Sequence, residues 1–234
     1  STGAVMAASR LLLGMLPGVE RPTIGTMFPT TGSPVLVVDS GANIDARPSQ
    51  LLQFARHGSV YMRDLLGLES PRIGLLNVGE ESSKGGALAV ATHKMLQDDE
   101  DLNFVGNIEG HEIVEGACDV LVCDGFVGNV LLKFYESVAG FIAGVLKAQL
   151  DPEVHGEGFK EVYRTIDYAE RGGAPLLGVN GVSIICHGGS SARAIKNAIR
   201  VAGACLESNM VEDMASEFGL PTRRARVWRR IRRR

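Results

Sequence analysis

The chain has 234 residues, of which 45% are apolar and 22% charged; that is enough to bury a core as one large or two small domains without disulfide or metal staples. This composition excludes a disordered chain, a coiled coil and a collagen-like repeat. Net charge is −3, but eight of the 24 basic residues are arginines between Arg223 and Arg234, which leaves 16 basic against 27 acidic residues in the body and argues against nucleic acid as the main partner.

Two patterns alternate along the chain. The first is a short aliphatic run: Val35–Val38, Ile73–Leu76, Phe104–Val105, Val120–Val122 and Val182–Ile185. The second has helical spacing: Ala4–Leu16, Ser49–Leu66, Ala87–Gln97, Gly128–Leu150 and Ala192–Ser208. Aliphatic runs without polar alternation predict strands covered on both faces, and strands alternating with helices predict a doubly wound, mostly parallel α/β sheet. Residues 1–222 are read as one domain and 223–234 as an arginine-rich tail. The polar segment Asp151–Arg171, with Pro152, Gly156 and Gly158, predicts an irregular excursion. The most apolar stretch, Val130–Leu146, is interrupted by Lys133 and Glu136, short of an uninterrupted membrane span. No signal-peptide pattern is visible.

There are 29 glycines, well above the ~7% of an average protein, and they cluster where a strand gives way to a helix. In chain order these clusters are Asp39-Ser-Gly-Ala-Asn43, Asn77–Gly86, Asn107-Ile-Glu-Gly110, Asp124-Gly-Phe-Val-Gly-Asn129 and His187-Gly-Gly-Ser-Ser191. In an open parallel sheet such loops gather at the carboxyl ends of the strands, where ligands bind. Glycine permits close backbone approach, and helix N-termini offer unpaired N–H groups, so the expected ligand is an anion. Ser190 or Ser191 is placed to cap the last helix. Asn129 and Lys133, four residues apart, share one helix face, and Lys84 sits in a glycine-rich loop. Each cluster also has a plain reading as a turn, and aspartate before glycine at a strand end commonly caps it. Lys133 likewise reads either as a phosphate ligand or as a lysine lying along the helix surface.

Other chemistries find no support. His57, His93 and His111 have no paired ligand spacing, so no metal is expected. No G-x-G-x-x-G follows a strand and no G-x-x-x-x-G-K-[ST] is present, so no cofactor is expected. Cys118, Cys123, Cys186 and Cys205 lack a C-x-x-C spacing; reduced thiols suit a cytoplasmic location.

At these loops the sequence resembles the PlsX family, the phosphate:acyl-carrier-protein acyltransferases of bacterial phospholipid synthesis. The resemblance rests on Thr2-Gly-Ala4, Asp39-Ser-Gly-Ala-Asn43, Gly74-Leu-Leu-Asn-Val-Gly-Glu80 with Lys84-Gly85, Asn103-Phe-Val-Gly-Asn-Ile-Glu109, Asp124–Lys133, Gly172-Gly-Ala-Pro-Leu-Leu-Gly178 and His187-Gly, in order from residue 1 to about 205. It implies a fold like the isocitrate and isopropylmalate dehydrogenases and phosphotransacetylase. It implies a homodimer that converts acyl carrier protein (ACP) thioesters and inorganic phosphate to acyl phosphate and free ACP, with peripheral membrane association. Three features depart from the family: its opening strand with an Asp-Ala-Met-Gly-Gly-Asp loop is absent, the excursion Asp151–Arg171 is short, and the arginine tail is not a family feature.

Phosphate is already a nucleophile and a thiolate leaves readily, so such a reaction needs positioning and oxyanion stabilisation more than a covalent intermediate. The expected catalytic groups are His187, to orient phosphate or protonate the departing thiol, with Lys133 and Asn129. The expected phosphate and substrate contacts are Asp39, Asn43, Asn77, Lys84, Asp124, Gly125, Gly128, Gly188 and Gly189. Two alternatives stay open: a phosphotransacetylase-type enzyme acting on acyl-CoA, and an inactive fragment that only binds ACP. The tail, with Val227, Trp228 and Ile231 among its arginines, reads as a solvated tail, an aberrant reading frame, or a segment that lies on anionic lipid or nucleic acid.

Overall fold

A computed structural model of the chain describes residues 2–149 and 172–217. The excursion Asp151–Arg171 and the arginine tail lie outside the described residues. In chain order the elements are α1 (Thr2–Leu12), β1 (Thr23–Phe28), β2 (Val35–Val38), α2 (Pro48–Leu66), β3 (Arg72–Leu76), α3 (Ala87–Gln97), β4 (Asn103–Ile108), β5 (Val120–Val122), α4 (Gly125–Gln149), β6 (Ala174–Leu177), β7 (Ile184–Ile185), α5 (Ala192–Glu207) and α6 (Met210–Glu217).

The strands form one sheet in the order β4-β3-β5-β2-β1-β6-β7. The β4-β3, β3-β5 and β5-β2 pairs are parallel, whereas β2-β1, β1-β6 and β6-β7 are antiparallel. Only β1 and β7 therefore run against the others, and the expected mostly parallel α/β sheet is what forms. Two strands were not legible in the sequence. In β1 the sequence Thr-Ile-Gly-Thr-Met-Phe alternates like a half-exposed strand, yet it lies between β2 and β6 and is almost wholly buried. In β6, Pro175 weakens any strand signal. The expected strand at Val182–Ile185 shortens to its last two residues, and α6 is an addition.

Strand pleating divides the core between the two faces of the sheet. Leu36 and Val38 of β2, with Val120 and Val122 of β5, point to the layer containing Leu51, Phe54 and Met62 of α2, Leu96 of α3 and Met210 and Met214 of α6. Val35, Val37 and Leu121 point the other way, toward Phe28 and toward Leu131, Leu132 and Tyr135 of α4. This is the doubly wound arrangement, and it explains why β2 and β5 read as unbroken aliphatic runs.

Local signals set the helix ends. Pro48 opens α2 while the Gln50 side chain accepts a 2.9 Å bond from the Arg47 amide. At α5 the Ser191 hydroxyl accepts from the Ala194 amide at 3.2 Å, as the Ser190 or Ser191 cap reading expected. α4 begins three residues before its expected start. On its surface Phe134, Phe141, Ile142 and Val145 remain exposed. By length and composition alone, Gly125–Val145 is long and apolar enough to cross a membrane, although Lys133 and Glu136 interrupt it.

Candidate functional site

A closely packed, hydrogen-bonded junction joins the carboxyl ends of β2 and β5 to the first turn of α4. The Asp39 amide donates to the Cys123 carbonyl at 3.0 Å, and the Cys123 amide donates to the Val38 carbonyl at 2.8 Å. The Gly125 amide then donates to the Asn43 carbonyl at 2.7 Å. Two glycines permit this approach: a β-carbon on Gly125 would stand 2.7 Å from the Asn43 backbone nitrogen, and one on Gly128 would collide with the Asp39 carbonyl oxygen.

Asp39 is the centre of the junction. It is wholly buried. Its Oδ1 accepts from the amides of Ile24 (3.1 Å), Gly41 (3.3 Å) and Ala42 (3.0 Å), and its Oδ2 from the Asn43 amide (2.6 Å) and Asn43 Nδ2 (2.8 Å). Burial pushes the Asp39 carboxyl up from its ordinary range, while the bonds from Ala42, Ile24 and Asn43 pull it down. Asn43 is also held by the Pro22 carbonyl, 2.8 Å from Nδ2. The amides of residues 41–43 thus form an anion nest whose occupant is the chain's own carboxylate. Asp39 and Asn43 shape the site: the Asp39 carboxyl oxygens and the Asn43 Nδ2 donors are spent within the protein.

The same holds for part of α4. Asp124 Oδ1 accepts from the Val127 amide at 2.9 Å, and the Asp124 carbonyl accepts from the Gly128 amide at 3.0 Å. With Gly125 already bonded to Asn43, three first-turn amides are engaged within the protein. Asn129 is different: it is exposed, and it packs against Gly41 so closely that a β-carbon there would sit 3.3 Å from Asn129 Oδ1. Its carboxamide stands at the surface of the junction.

The neighbouring loop follows β3. Leu75 pairs with Val122, so Asn77 stands level with Asp124 one strand away, about 5 Å across. Asn77 Nδ2 donates to the Lys84 carbonyl at 3.0 Å, and its Oδ1 accepts from the Val78 amide at 2.8 Å. Lys84 is half-exposed, with its ammonium 3.9 Å from Glu81, a loose pair that leaves the cation available. Beyond it, Asn107 Nδ2 donates to the Glu81 carbonyl at 2.9 Å and Asn107 Oδ1 lies 2.9 Å from His93 Nδ1. His93 is buried and edge-on to Phe104. Sequence reasoning passed over this His93–Asn107 pair as a site support; its signal was an asparagine at a strand end.

Two groups of expected site residues do not join the rim. Lys133 lies one turn past Asn129 on α4, roughly 6 Å along the axis, but is bonded to Glu136 at 2.7 Å. His187, Gly188 and Gly189 are exposed, with the His187 Nδ1 accepting from the Gly189 amide at 3.2 Å. β7 is antiparallel, and Ile185 pairs with Ala174 at the start of β6. The His187 loop therefore leaves at the amino end of β6, three strands away from β2. The expected convergence of five loops reduces to those of the four parallel strands, because strand direction sends the fifth elsewhere. A cavity of about 550 Å³ lies between α2 and the end of α3, lined by Arg56 and by Asp98, Asp99, Glu100 and Asp101; its carboxylates repel an anion.

The junction therefore offers exposed carboxamide and ammonium donors beside a rigid, buried carboxylate nest: a surface suited to holding an oxyanion and a developing negative charge. The fatty acid synthesis protein family matches residues 1–213. A phosphate acyltransferase of Nostoc sp. is 47% identical over 227 residues, covering 93% of this chain and 67% of its own length. One from Desulforamulus reducens is 51% identical, covering 90% of this chain and 65% of its own length. The chain thus spans about two thirds of the length of these relatives. Among solved structures, a phosphotransacetylase from Streptococcus pyogenes superposes with a TM-score of 0.57 at 16% identity, over 88% of this chain and 60% of that one. The EutD phosphotransacetylase from Staphylococcus aureus gives 0.56 at 15%, over 84% and 57%. These likenesses are of fold.

Proposed function

The chain belongs to the fatty acid synthesis protein family of phosphate acyltransferases, and on that premise we propose that it passes an acyl group from acyl carrier protein to inorganic phosphate. The observation that carries this reading is the rim of Asn129, Asn77 and Lys84 at the carboxyl ends of β5 and β3, within a chain 47% identical to a phosphate acyltransferase.

In the proposed step a phosphate oxygen forms a bond to the thioester carbonyl carbon, and the C–S bond then breaks. The products are an acyl phosphate and the carrier thiolate, which takes up a proton. Lys84 draws the phosphate dianion to the rim, and the Asn129 carboxamide donates to the oxyanion of the tetrahedral intermediate. Asn77 sets the loop that carries Lys84 through its bond to the Lys84 carbonyl. Asp39 and Asn43 are positioning residues that fix the junction. Proton delivery to the thiolate falls to solvent in this reading, since His187 leaves the sheet at another edge.

The protein acts as a cytoplasmic homodimer with peripheral membrane association. What supports a covering partner is the exposed stripe of Phe134, Phe141, Ile142 and Val145 on α4; sedimentation of the chain at several concentrations tests the dimer.

The deciding assay supplies the chain with acyl-ACP or acyl-CoA, with and without phosphate, and measures acyl phosphate. Phosphate-dependent turnover of acyl-ACP supports the proposal. A preference for acyl-CoA favours the phosphotransacetylase reading, and ACP binding without turnover leaves an inactive fragment.

A further inference from the structure

Four apolar side chains at the junction are left in solvent. Ile44 follows Asn43, Val78 follows Asn77, Phe126 follows Gly125 and Val130 follows Asn129, at 72%, 78%, 63% and 52% exposure. Isolated exposed apolar residues are ordinary, but a contiguous group is not. The backbone brings these four positions to one stretch of the rim. Ile44 and Phe126 flank the 2.7 Å bond from the Gly125 amide to the Asn43 carbonyl. Val130 is one helical turn beyond Phe126 on α4. Val78 stands beside them because β3 and β5 pair in register up to Leu75 and Val122. The patch spans three adjacent strand ends, about 10 Å of rim.

Resting on the phosphate acyltransferase reading, we propose that Ile44, Val78, Phe126 and Val130 form the platform that holds the hydrocarbon chain of the acyl substrate and so set chain-length preference. A thioester carbonyl placed against Asn129 projects its alkyl chain from the rim, and the surface next to the rim is this apolar patch. The occupant is a long acyl chain because the polar half of the same rim handles the acyl group's reacting end. Each methylene laid on the patch leaves water, so affinity rises stepwise with chain length.

The test compares butyryl and palmitoyl thioesters of one carrier protein with the 234-residue chain and its Phe126→Ala, Ile44→Ser and Val78→Ser variants. It also titrates cis-parinaric acid as a fluorescent long-chain probe that needs no turnover. The expected result is a palmitoyl-to-butyryl ratio of kcat/KM that falls about ten-fold in Phe126→Ala, weaker parinaric acid binding in all three variants, and recovery in Phe126→Leu. An unchanged ratio together with unchanged parinaric acid binding overturns the platform while the acyltransferase reading stands. Absence of turnover in the parent chain overturns that reading instead, and the parinaric acid titration then decides the platform alone.

Discussion

The α-carbon of Gly128 rests against the carbonyl oxygen of Asp39 so closely that no β-carbon fits between them. This contact brings the first turn of α4 onto the end of β2, and it places Asn129 over Gly41. Gly128→Ala must push the helix off the sheet or shift the 39–43 loop. The expected cost is about 2–4 kcal/mol, read as a lower urea midpoint. Gly140→Ala, where a β-carbon meets nothing, is the control and should not destabilise.

Asp39→Asn keeps the volume and removes one of two acceptor oxygens. The Asn43 amide and Asn43 Nδ2, both bonded to Oδ2, then lose their carboxylate acceptor in a buried setting. A loss of about 2–4 kcal/mol follows, with activity falling because the junction loosens. A variant as stable as the parent would remove Asp39 from its positioning role.

His57 lies on α2 and is fully buried. Burial pushes its imidazole down to about 3 from an ordinary 6.5, so the folded chain holds it neutral while the unfolded chain takes up a proton below pH 6.5. The stability it contributes is complete above that pH and drains away as pH falls toward 3. Denaturant unfolding at pH 7, 6, 5 and 4 should show declining stability, and His57→Gln should flatten that slope by close to one proton.

Asn129→Ala removes the carboxamide donor at the rim. With acyl-ACP and phosphate saturating, kcat should fall about a hundred-fold, the typical effect of losing one oxyanion donor, with little change in stability because the side chain is exposed.

Lys84→Ala should raise the phosphate KM about ten-fold, whereas Lys133→Ala should change it less than about three-fold. The difference follows from pairing: Lys84 lies 3.9 Å from Glu81, whereas Lys133 lies 2.7 Å from Glu136. Initial rates against phosphate concentration for both variants decide it. A large effect at Lys133 alone would return Lys133, on the same helix face as Asn129, to the phosphate site.

Part of this architecture is legible in the sequence because burial leaves a one-dimensional trace. Val35–Val38 and Val120–Val122 are aliphatic without a break since helices cover both of their faces. Pro48 and Ser191 mark helix starts through backbone chemistry that acts within a few residues. β1 leaves no such trace: Thr23 and Thr26 are buried polar residues, and their place inside the sheet depends on pairing with β6, far along the chain.

The site divides along the same line. The residue types at the strand ends, the glycine clusters and the resemblance they carry are properties of the sequence alone, and they determined fold class and chemistry because short-range geometry and composition suffice for both. Which loops meet was decided only by tertiary structure. The direction of β7 separates His187 from Asn129. The fold of residues 39–43 turns their amides inward onto Asp39, and the packing of α4 leaves Phe126 in solvent beside Ile44. Strand order and direction arise from contacts between segments far apart in the chain, and no local spacing encodes them.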